Sequence, residues 1–142
     1  MTYDYQSKKL VAVIDAGLYP GIALNVVAHL AIAIAACAGP DLLGRPQLED
    51  GSHGIHLGIA KYPIIVTKAK CHHLRPVIDN AKVRGGLIVA DFPKHMLATG
   101  HDDDLARALS DSPEEQLVYL GFAIFGKSGL VSQLTGKFSL YR

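Results

Sequence analysis

The chain has 142 residues, a formal net charge of +1, 49% apolar residues and 19% charged residues. That length suits one domain, 1–142, able to bury about two-thirds of its unfolded surface, and the apolar content excludes a disordered chain. The near-neutral charge lacks the basic excess expected of a nucleic-acid binder. Lys61, Lys68, Lys70 and Arg75 beside His72 and His73 form the richest basic stretch and read as a solvated face.

The first ten residues have acidic and tyrosyl side chains and do not read as a signal peptide. Lys8–Asp15 contains the continuous apolar run LVAVI and predicts a central strand ending in Asp15. A Gly-Leu-Tyr-Pro-Gly elbow follows, with Pro20 suited to the first position of a helix. The helix runs from Gly21 to about Cys37 and stops at Gly39-Pro40. It is apolar on nearly every side, which predicts a core helix covered on both sides rather than a membrane span. Asn25 and His29 are its polar interruptions, four residues apart and therefore on one face. An unpaired polar group in such a helix would cost about 1–3 kcal/mol, so a partner or a ligand is expected there.

Leu42–Ile59 is rich in Gly, Asp and His, and Glu49-Asp50-Gly51-Ser52 predicts a turn or small hairpin. Tyr62–Val66 predicts a second strand, and His73–Arg84 a helix with Pro76 in or near its first turn. Gly86–Asp91 predicts a third strand, again ending in Asp. In His101–Ala108 an Asp is expected to cap a short helix. Ser112-Pro113-Glu114-Glu115 predicts one or two helical turns, Val118–Phe125 a fourth strand, and Ser128–Thr135 a last helix ended by Gly136. The order predicts an α/β domain with a largely parallel sheet, whose right-handed crossovers put Asp15 and Asp91 at one edge. Ligands in such sheets sit there.

Asp15, Gly21, Ala28 and His29 resemble, at the same spacing, the first strand and helix of type-2 peptidyl-tRNA hydrolases. Asp91 ends the third strand where those enzymes carry a functional Asp. The tail 131–140, around Leu134-Thr135-Gly136, resembles their closing segment. IDAGLYPGIALN, DFPKHM and GLVSQLTGKFSL are similar to an uncharacterised bacterial family, domain of unknown function two-thousand. The resemblance implies a three-layer α/β/α fold with a four-stranded mixed, mostly parallel sheet whose last strand runs antiparallel, and it implies a homodimer. It departs at the elbow, where the hydrolases have lysines and this chain has Gly17, Pro20 and Ile22. It departs again at His95, which replaces a threonine.

The expected site is a strand-end cleft for a small-molecule ligand, with Asp15, His29 and Asp91 as candidate catalytic groups. Asn25, Tyr19, Gly21 and His95 complete it as ligand-binding groups. Each has a structural alternative. Asp15 can accept amides of its own turn, and Tyr19 or Phe92 can fill the cleft. If a reaction occurs, it is metal-independent hydrolysis without a cofactor. The histidines and the HDDD run lack metal-site spacing. Gly121–Ser128 matches the phosphate-loop pattern by letter, but its middle residues FAIF read as buried strand. Cys37 and Cys71 match no zinc or redox spacing and read as reduced core thiols, which fits a cytoplasmic location.

Overall fold

The computed structural model describes residues 3–142. Strand β1 spans Lys8–Asp15, helix α1 Pro20–Ala38, and a small antiparallel hairpin is formed by β2 (Gln47–Glu49) and β3 (Ile55–Leu57). Strand β4 is Ile64–Ala69, helix α2 Leu74–Arg84 and strand β5 Ile88–Pro93. Short helices α3 (His95–Ala98) and α4 (Asp102–Ser110) follow, then β6 (Tyr119–Lys127), α5 (Ser128–Thr135) and a two-residue strand β7 (Ser139–Leu140).

The main sheet has five strands in the order β5-β6-β1-β4-β7. This corrects the expected four. Strand β7 pairs with β4 through two residue pairs, too few to leave a period in the sequence. The sheet is also not mostly parallel. Strands β1 and β4 pair in parallel, whereas β1–β6, β5–β6 and β4–β7 are antiparallel. Strands β1, β4 and β5 do point the same way. The antiparallel β6 is inserted between β1 and β5, so those two co-directional strands never meet. The β6 direction itself agrees with the expectation for the fourth predicted strand.

Alternation along the strands divides the core in two. Leu10, Ala12 and Ile14 of β1 pack with Ala123 and Phe125 of β6 and Phe92 of β5 under α1. Val11 and Val13 pack with Phe122 and Ile124 under α2 and α5, whose Leu74, Val77, Ile78, Val131 and Leu134 cover that face. Helices therefore lie on both faces.

Helix α1 is not covered on both sides. Its Ala23, Val26, Leu30 and Ile34 are buried against the sheet, one residue per turn. Leu24 and Ile32 remain 66% and 69% exposed, because no element lies over the outer face. Asn25 and His29 are exposed as well, so the desolvation cost expected for them does not arise. Gly39, at φ 77°, ends the helix and donates its N–H to the Ala35 carbonyl. Cys37 and Cys71 are exposed free thiols rather than core residues.

Candidate functional site

Pro20 at the start of α1 fixes where the helix leaves the β1 end, and the helix carries Asn25 and His29 past the rim of β5. The His29 ring stands 5.9 Å from that of Phe92, with the ring planes at 58°. Phe92 is buried on the α1 side of β5 and forms the floor of a cavity of about 230 Å³. Asn25 and His29 make one wall. Met96 of α3 and Thr99, its C-cap, line the opposite side, and His101, Asp102 and Leu105, at the start of α4, add to the lining.

His101 is the N-cap of α4. Its Nδ1 accepts the N–H of Asp103 at 3.1 Å. The expected Asp cap is thus replaced by an imidazole, while Asp102, Asp103 and Asp104 favour the positive end of the helix dipole. With Nδ1 accepting, a neutral His101 carries its proton on Nε2. The Thr99 hydroxyl donates to the His95 carbonyl at 3.0 Å and is already engaged. The cavity therefore offers two imidazoles, one amide and one carboxylate around an apolar floor of Phe92, Met96 and Leu105. It contains no activated nucleophile. Among the described residues, neither the Asn25 nor the His29 side chain is hydrogen-bonded within the chain, and no three metal-type side chains converge.

The sheet separates this cavity from the two candidate carboxylates. Asp15 continues the Val11–Val13 alternation onto the α2 side. Its Oδ1 accepts the Gly17 N–H at 2.9 Å, and its carbonyl accepts from Leu18 at 3.2 Å. Asp91 follows Val89 on the same side and pairs with Lys82 of α2 at 2.7 Å. Both strand ends lie toward one edge of the sheet, since Asp91 and Val13 oppose the same residue, Phe122. Their side chains nevertheless point away from α1, so neither orients His29.

His95 belongs to a separate contact. Ser112 Oγ donates to the Ala108 carbonyl at 3.0 Å and so accepts a hydrogen bond from His95 Nε2–H at 3.1 Å. The buried His95 Nδ1 is left without a partner among the described residues. Tyr19 is 79% exposed and fills no cleft, and a Cβ on Gly21 would meet nothing within 4 Å. Neither lines the cavity. Of the expected site residues, Asn25 and His29 line this cavity; His101 and Asp102 also line it, although the sequence favours a helix cap over a metal-ligand role for them. The signal was a histidine directly before three aspartates.

The α2 side of the strand ends is a structural clamp. Arg75 pairs with the Glu114 carboxylate and stands 5.1 Å from the Tyr119 ring centroid. The Tyr119 hydroxyl donates to Glu114 at 3.1 Å. Burial, then that hydrogen bond, pushes the Tyr119 hydroxyl up to about 12. Cys71 Sγ donates to the Tyr119 carbonyl at 3.4 Å. Partial burial and then the Asp15 charge raise its pKa, which disfavours the thiolate. The phosphate-loop lookalike is strand β6. Phe122, Ala123, Ile124 and Phe125 are buried, with their backbone committed to β1 and β5.

The fold is that of a mixed α/β protein with an open cavity of about 230 Å³ between α1 and the start of α4. The chain belongs to the family described as "Protein of unknown function (DUF2000)", whose model matches residues 8–142. It is similar to the solved structure of a protein of unknown function, Atu0240, from Agrobacterium tumefaciens strain C58. The TM-score is 0.86 at 23% identity, covering 96% of this chain and 98% of that one. That likeness shows a shared fold. No curated protein matches the chain.

Proposed function

We propose that this protein binds a small amphipathic molecule in the α1–α4 cavity. The observation that carries the reading is the convergence of Asn25 and His29 from α1 with His101 from the α4 cap over the apolar floor of Phe92. A pocket with an apolar body and a few converging polar groups is the usual form of a small-molecule site. The His101 Nε2–H and the Asn25 amide supply donors, and His29 supplies a second imidazole. Binding is favoured over hydrolysis because no carboxylate aligns His29 and no nucleophile lines the cavity.

Kinship in fold with type-2 peptidyl-tRNA hydrolases is part of the proposal. It rests on Asp15, Gly21, Ala28 and His29 and on the 131–140 tail. Peptidyl-tRNA hydrolysis is not part of it, since Gly17, Pro20 and Ile22 leave the elbow without lysines to hold a phosphate backbone.

The test is a thermal-shift screen of small amphipathic compounds. A compound at one hundred times its Kd stabilises the fold by about 2.7 kcal/mol, which is a readable rise in Tm. His29 is exposed, so His29→Ala is expected to fold. His101→Asn keeps a capping oxygen but removes the ring. A true ligand raises Tm in the wild type and loses most of that rise in both variants. A screen without hits, or hits that stabilise all three proteins equally, refutes the site.

A further inference from the structure

The exit of β4 carries a second cavity, at the β7 edge of the sheet. It has a volume of about 260 Å³ and is lined by Lys68, Ala69, His73, Lys137, Phe138 and Ser139. Tertiary structure alone assembles it. Lys68 opposes Ser139 in the β4–β7 pair, and Tyr141 donates its N–H to the Val66 carbonyl, so the C-terminal tail lays Lys137 against a lysine almost seventy positions earlier in the chain. Lys70 and His72 stand on the adjoining turn, where the His72 and His73 rings are 4.1 Å apart.

Positive charge gathers here in a chain whose net charge is only +1. Among the described residues, Lys68, Lys70 and Lys137 make no ion pair, in common with most of the chain's other lysines and arginines. Helix α2 begins at the same place with no acidic residue in its first turn and no side-chain cap. The nearest strand-end carboxylate, Asp15, opposes Ala69 across the β1–β4 pair, but its Oδ1 is bonded to the Gly17 N–H. Partial desolvation, followed by the charges of His72, Lys137 and Lys70, holds His73 below its ordinary value. Uncompensated like charges around a concave surface raise each other's energy, and a polyvalent anion relieves that.

We infer that this cavity is an oxyanion site that takes the phosphate group of a small phosphorylated molecule, held by Lys68 and Lys137 with His73 as a third donor. The inference is independent of the α1–α4 cavity, which contributes none of these residues.

Inorganic phosphate and pyrophosphate are the probes, followed by amide and imidazole NMR on the full chain. Saturable shifts are expected at Ala69, His73, Phe138 and Ser139. The bound anion favours imidazolium, so the His73 titration moves upward on saturation against the fixed background of Lys68, Lys70, His72, Lys137 and Asp15. Lys137→Gln and Lys68→Gln each weaken pyrophosphate binding about 10-fold or more, the size expected for losing one charge-assisted hydrogen bond. Lys137 is exposed, so its variant is expected to fold. Lys61→Gln, at the other end of β4 beside Tyr3 and Tyr62, leaves binding unchanged. The inference fails if neither probe saturates or if all three variants bind alike. It also fails if a single-stranded RNA oligonucleotide binds with steep salt dependence and pyrophosphate does not compete, because that outcome defines a diffuse basic face without a built pocket.

Discussion

Replacing Gly121 with alanine tests how tightly α1, and with it the ligand cavity, is seated on the sheet. A Cβ at Gly121 would lie 2.9 Å from Ile14 Cδ1, 3.1 Å from the Val13 carbonyl oxygen and 3.1 Å from Val26 Cγ1. The first and third atoms belong to fully buried side chains, and the second is backbone of the central strand. None can withdraw freely, so α1 must lift at Val26, between Asn25 and His29. Overpacking of this kind costs about 1–3 kcal/mol. Removing a strand glycine returns about 0.5–1 kcal/mol through the unfolded chain. The expected net loss is about 1–2 kcal/mol, and at about 2–4 °C per kcal/mol for a domain of this size Tm falls by roughly 2–8 °C. The assay is thermal and urea unfolding followed by far-UV circular dichroism, since the chain has no tryptophan. Gly21→Ala is the control. Nothing lies within 4 Å of its new Cβ, and it sits at the start of α1, so stability should hold or rise by up to about 1 kcal/mol. A Gly121→Ala variant as stable as the wild type, or a clear loss in Gly21→Ala, would refute the packing argument.

Other consequences follow from the same contacts. His101→Ala removes the α4 cap and should cost about 1 kcal/mol, with faster hydrogen exchange at Asp103; His101→Asn should restore most of it. The raised Tyr119 value, about 12, means that its contribution is complete below the unfolded tyrosine value and is lost as pH rises through the folded one. Stability should thus fall between about pH 10 and 12, and Tyr119→Phe should flatten that part of the curve relative to the wild type. Asp50 titrates below its ordinary value because of hydrogen bonds from His56, then Gly54 and Ser52. Its contribution is present above the unfolded value and disappears as pH falls through the folded one; carbon NMR of the carboxyl should show the titration moving up in His56→Ala. A Lys82→Ala, Asp91→Asn double-mutant cycle should give a coupling of under about 1 kcal/mol, the size of a partly exposed pair.

Local physics made much of the secondary structure legible. The apolar run of β1, the proline and glycine that bracket α1, and the α5 boundaries were readable because each depends on neighbours within a few residues. The buried FAIF segment was readable as strand on the same grounds. The turn after Glu49 was also local: Asp50 Oδ1 accepts the Ser52 and Gly54 N–H groups at 2.8 and 3.0 Å. What is not legible shares a different cause. The exposure of α1 is hidden because an alanine-rich helix has the same pattern whether one layer or two cover it. Strand β7 leaves no trace because two residues carry no period. In sequence, Asp15 and Asp91 group with His29 because a strand-end position says which edge a residue reaches and not which face it takes.

The sequence alone determined most of the elements, their order, and the placing of Asn25 beside His29, since a helix sets that spacing by its own geometry, but not α3 or β7. Only the tertiary structure decided what stands opposite them. The insertion of β6 between β1 and β5, the pleat that turns Asp15 and Asp91 toward α2, and the return of the tail that brings Lys137 to Lys68 all depend on contacts between residues far apart in the chain. Such contacts are fixed by which apolar faces bury together, and no local stretch of sequence encodes them.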